Sequence, residues 1–156
     1  MTRHIILIAL LCVGCTDTGR ADYVCDPTCP PQEDIDRALD IMAERWVNHV
    51  KEHPRDIMNS YQIVWQTEPI ELTFGDGRTV YPYGVTLHSQ DRVWIWYDFP
   101  CEGYVQGLCP GVFDWEMGLV LAEHVFEERG NYQSTEEDKL AFREEHGLVN
   151  ELAGAW

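Results

Sequence analysis

Val93-Trp94-Ile95-Trp96-Tyr97 is the stretch on which the fold turns. Apolar residues occupy both parities of this run, whereas a strand wet on one face alternates apolar with polar. The run therefore predicts an interior strand. Upstream, residues 83–88 reach it through Ser89-Gln90-Asp91, a turn-forming triplet that predicts a hairpin. Residues 70–74 and 78–81 flank Gly75-Asp76-Gly77, a second hairpin signal, and residues 61–65 read as a further strand. Downstream lies a loop over 100–111 rich in Pro, Gly and Cys. Asp114 then reads as the N-cap of a helix to about Arg129, stopped by Gly130-Asn131. Ser134-Thr135-Glu136-Glu137 reads as a capping box opening a last helix, which ends at Gly147. At the other end Ile35, Leu39, Met42, Trp46 and Val50 form one apolar stripe, predicting a helix from Pro31 to about Glu52 that stops at Pro54. The expected fold is a single α+β domain with an N-terminal helix, four to five antiparallel-type strands in two hairpins, and two C-terminal helices.

Composition bounds what such a domain does. The 156 residues include 6 Trp, 7 Tyr and 5 Phe and are 45% hydrophobic, so the chain can bury a core and is too apolar to be disordered. Eleven Lys and Arg against 27 Asp and Glu give a formal charge of −16. That charge repels nucleic acid and anionic lipid headgroups, and it directs polar recognition toward a cation or a basic protein surface.

Arg3 and His4 precede the apolar run Ile5-Ile6-Leu7-Ile8-Ala9-Leu10-Leu11, and Gly14 stands before Cys15. This is the layout of a secretory signal, and the run is too short to span a bilayer as a mature helix. Leu11-Cys12-Val13-Gly14-Cys15 resembles the lipobox of bacterial lipoproteins, although Cys12 stands where that family usually has Leu, Val or Ile. The resemblance implies removal of residues 1–14, acylation of Cys15 with palmitate-type chains, a tether over 15–30 and an acidic domain over 31–156. It places the protein in the bacterial cell envelope, held to a membrane by lipid on the periplasmic or surface side. In an oxidising compartment the four remaining cysteines, Cys25, Cys29, Cys101 and Cys109, read as two disulfides. Three connectivities are open, the simplest being Cys25–Cys29 with Cys101–Cys109. A four-cysteine zinc site is the alternative, for which the spacing is poor.

The segment Asp114-Trp115-Glu116-Met117-Gly118-Leu119 opens the helix that follows the strand and loop. It resembles the active helix of zincin metallopeptidases, His-Glu-x-Gly-His, in which two His one turn apart hold zinc and the Glu polarises its water. Glu116 and Gly118 match; Trp115 and Leu119 replace both ligands and offer no lone pair to a metal. The resemblance implies a zincin-like scaffold without its metal site. Glu116, Glu123 and Glu127 form an acidic stripe that reads as a solvated seam, and His124 reads as a hydrogen-bonded core residue. His49-Val50-Lys51-Glu52-His53 has the spacing of the inverzincin motif and supplies the best remaining zinc pair, His49 and His53, against a reading as helix-terminal caps. Trp94, Trp96 and Tyr97 offer stacking surface, more simply core. Ser60, Ser89 and Ser134 stand in no nucleophile elbow, and no glycine loop cradles phosphate.

These readings converge on a lipid-anchored binding or structural protein with no intact catalytic motif, a zincin-like pseudoenzyme. The competing expectation is a zinc-dependent peptidase built on His49 and His53.

Overall fold

The computed structural model describes residues 22–156; the signal segment, Cys15 and the tether up to residue 21 lie outside them. The elements run β1 (Tyr23–Asp26), α1 (Gln32–Trp46), α2 (Pro54–Asn59), β2 (Gln62–Gln66), β3 (Leu72–Thr73), β4 (Thr79–Val80), β5 (Gly84–Leu87), a 3-10 turn (His88–Gln90), β6 (Arg92–Trp96), α3 (Phe113–Glu128) and α4 (Glu136–Glu145). The fold is α+β, as expected.

The sheet departs from the expected antiparallel arrangement. Four strands stand in the order β1-β2-β6-β5, with β1 parallel to β2 and β2 parallel to β6; only the edge strand β5 runs antiparallel to its neighbour. Parallel strands need a long crossover, and α1 with α2 supplies it between β1 and β2. β1 itself lies in the stretch expected to be tether, where four residues between Asp22 and Pro27 are too short to show a period. Both hairpins form. β5 turns into β6 through Asp91, whose φ of 49° closes the turn, and β3 pairs with β4 across Gly75-Asp76-Gly77 as a separate two-stranded ribbon. β6 is interior, between β2 and β5, as its two-sided apolar pattern requires.

Ile63, Trp65, Val93 and Ile95 point from β2 and β6 into a core shared with Ile35, Leu39, Met42 and Trp46 of α1 and with Met117, Val120 and Leu121 of α3. The first helix stops at Trp46 rather than near Glu52, and a second short helix follows. Pro54 opens that second helix at its first position and holds His53 before it in an extended backbone with ψ of 126°. Asp114 is not an N-cap. The helix begins after Val112, and Asp114 is fully buried in its first turn, where its carboxylate accepts from the amides of Gly111 (2.6 Å) and Leu152 (3.1 Å). The capping box of α4 is shifted by one residue, being built by Thr135 and Asp138. Gly130 and Gly147 take the left-handed conformations that end α3 and α4.

Candidate functional site

The edge strand β5 and the first turns of α3 enclose a cleft. The Trp96 amide donates to the Tyr83 carbonyl (2.9 Å), and Val85 lies opposite Trp94. By the alternation of antiparallel ladders, the peptide groups of Gly84 and Thr86 therefore point away from β6, toward the open edge. Beneath them Trp115, Glu116 and Leu119 line the cleft, together with Pro82 and Glu136. The three positions of α3 singled out by the zincin resemblance thus come together on one concave surface. Trp115 is half-buried and Leu119 almost wholly so.

Glu116 is 6% exposed, not part of a solvated seam. Thr86 donates its hydroxyl to Glu116 Oε2 (2.6 Å), and a side chain at position 84 would collide with the Glu116 methylene, so Gly84 is what lets the carboxyl lie under the strand. Burial pushes the Glu116 carboxyl up to about 7; nearby Glu136 adds to this, while the Thr86 hydrogen bond and Arg143 oppose it. The group therefore exchanges a proton near neutrality.

Behind the cleft lies a group of residues that sequence reasoning missed. Arg143 of α4 is fully buried and donates to the carbonyls of Leu148 (2.9 Å), Trp115 (3.0 Å) and Asp114 (3.2 Å), with its guanidinium over the Trp115 ring. A Cβ on Gly118 would come within 2.4 Å of that guanidinium. Gly118, a match to the zincin pattern, thus has a local cause in this chain. Glu151 lies nearby, accepting from the Trp46 indole (2.6 Å), and burial pushes its carboxyl up to about 7. Arg143 sits on a helix face among Glu and Lys, so nothing in the local pattern marks it as buried.

The other expected sites fare differently. Cys25 lies against Cys29 and Cys101 against Cys109 at disulfide distance, with Cα separations of 5.1 and 5.6 Å, the simplest of the three connectivities. The zinc alternative for these four cysteines does not fit that pairing. His49 and His53 do not share a helix face: His49 lies in the turn after α1, against Phe142 and His146, while exposed His53 accepts from the Arg55 amide and caps α2. The helix that would have stacked them has already ended at Trp46. His124 is half-buried and pairs with Glu128 (3.2 Å) and Glu52 (3.6 Å), outside the core. Trp94 and Trp96 are half-buried on the outer face of the sheet. Among the described residues, no three His, Cys, Asp or Glu side chains group so that they could hold a metal ion, and no helix is long and apolar enough to cross a membrane.

Comparison of the chain with protein-family models, curated proteins and solved structures found no match.

Proposed function

We propose that the protein is a lipid-anchored component of the bacterial cell envelope whose domain binds an extended segment of a partner protein in the cleft under β5, a zincin-like pseudoenzyme. The observation that carries the binding role is the coincidence of an outward-facing strand edge at Gly84 and Thr86 with Trp115, Glu116 and Leu119 on one concave surface. An extended peptide adds to such an edge through main-chain hydrogen bonds and takes its specificity from the pockets beside it. Trp115 supplies aromatic surface and Glu116 a polar group, while neither Trp115 nor Leu119 can ligate zinc. The anchor rests on the apolar run before Gly14 and Cys15. Because the helical face joining His49 to His53 is not formed, no observation favours the peptidase reading.

Binding to an array of extended peptides tests the cleft. Thr86→Pro removes one outward amide without touching the ladder to β6, and Trp115→Ala removes the aromatic wall. Each is expected to weaken retained peptides at least tenfold, and unchanged binding in both variants, or an array that retains nothing, overturns the reading. The scaffold has its own measurement: Trp115→His combined with Leu119→His places two imidazoles beside Glu116, and calorimetric titration with zinc is expected to show binding that the native chain lacks. No gain separates this helix from the zincin arrangement. Membrane fractionation of Cys15→Ala should release the protein into the soluble fraction; retention contradicts the anchor.

A further inference from the structure

The C-terminal half of α3 carries a second cluster, separate from the cleft. Lys139 of α4 is 5% exposed, and its ammonium contacts the Glu123 carboxylate of α3 and, at 3.5 Å, Nε2 of His88 in the turn after β5. His88 Nδ1 lies 3.0 Å from the hydroxyl of Tyr61, itself buried before β2. Asp91 beside the turn and Glu136 of α4 also act on His88, and Ser134 donates to Glu123 from 3.5 Å. A cavity of about 250 Å³ opens beside the cluster, lined by Tyr61, His88, Asp91, Glu123, His124 and Glu127 among others.

Hydrogen-bond logic fixes the state of the ring. An ammonium only donates, so Nε2 must be the unprotonated nitrogen that accepts from Lys139, and Nδ1–H then donates to the Tyr61 oxygen. A proton arriving from solvent has one place to go, Nε2, where it sets N–H against N–H. Two cations then face the single Glu123 carboxylate, whose Oε2 lies 3.9 Å from Nε2. In a half-buried site that competition is poorly screened.

We propose that His88 is a pH-sensitive latch on α4: proton uptake at Nε2 breaks the Lys139–His88 contact and loosens the docking of the N-terminal half of α4 on α3. Burial, followed by the Lys139 charge, lowers the basicity of the ring, while Glu123, Glu136 and Asp91 work the other way, so release occurs on the acid side of the ordinary histidine range. The latch shares Glu136 with the cleft under β5 but does not rest on what that cleft binds, and its test is read without peptide.

Hydrogen exchange on the full-length protein at pH 7.5 and 5.5, compared at matched intrinsic exchange, measures α4 against α1 as an internal reference. The expected result is at least a tenfold loss of protection over residues 136–142 at the lower pH, with α1 unchanged. His88→Gln, which cannot take up the proton, and Lys139→Met, which removes the second cation, should each reduce that loss to less than twofold. Unaltered α4 protection in the native protein, or a loss of equal size in both variants, overturns the proposal. If one variant fails to fold by circular dichroism, the other decides.

Discussion

Helix α3 carries a buried base against each of its halves, and the two are built on opposite principles. Near its start, Arg143 is held by three carbonyls, with Asp114 and Glu151 supplying counter-charge. Near its end, Lys139 is shared between Glu123 and the neutral ring of His88. A guanidinium keeps its charge at every physiological pH, so the first cluster responds to acid only through its carboxyls. The second contains an imidazole and loses its arrangement when that ring is protonated. One helix therefore carries a permanent fastening beside a titratable one.

The largest expected effect breaks the permanent side. Arg143→Met leaves three carbonyls and the neighbouring carboxylates without their partner, and breaking a buried ionic group of this kind costs about 3–5 kcal/mol; chemical denaturation should show a loss of this size. Gly118→Ala tests the same contact from the other side. In the native background the added methyl meets the guanidinium at 2.4 Å and should cost about 1–3 kcal/mol. In an Arg143→Ala background the penalty should largely vanish, and equal penalties in the two backgrounds would contradict the packing described for Gly118.

Acidity sharpens the comparison because the two clusters respond in opposite directions. The carboxyls of Glu116 and Glu151 are raised from 4.5 to about 7 in the folded chain. Between those values the folded state binds more protons than the unfolded one, so stability falls as pH rises from about 4.5 to 7. The penalty is fully present above pH 7, on the order of 3 kcal/mol for each carboxyl. His88 is shifted downward, so its contribution is present above the ordinary histidine pKa and is lost as pH falls below it. Denaturant unfolding from pH 5 to 8 should show Glu151→Gln flattening the decline in stability between pH 5 and 7, and an unaltered slope would mean that Glu151 titrates normally. The smallest effect belongs to the start of α4. Thr135→Ala removes the cap that holds the Asp138 amide and should cost about 1 kcal/mol. It should also enlarge the acid-dependent exchange of α4, because cap and latch fasten the same turns.

Legibility in the sequence followed the range of the interactions concerned. The stripe of α1, both hairpin turns, the interior position of β6 and the glycine stops after α3 and α4 are local patterns of period or turn chemistry, and all formed. The parallel pairing of β1 with β2 was not legible, since it joins Tyr23 to Ile63 across a helical crossover and leaves no mark in either segment. The split of the first helix was only half legible: Pro54 announced a stop, but it opened α2 instead. In the candidate site, Trp115, Glu116 and Leu119 were found from their spacing. Thr86, Gly84 and Arg143 were not, because each matters through a contact with a residue about 25 to 32 positions away.

By itself the sequence determined the acidity, the elements of the core, the absence of zinc ligands at positions 115 and 119, and the expectation of export that Gly14 and Cys15 carry. Tertiary structure alone decided that Glu116 is buried, that an arginine lies inside the domain, and that a histidine in a turn touches a lysine fifty-one residues on. Composition and spacing describe a residue's neighbours along the chain. Burial and proton affinity depend on its neighbours in space, and those are set only when the sheet and helices close around it.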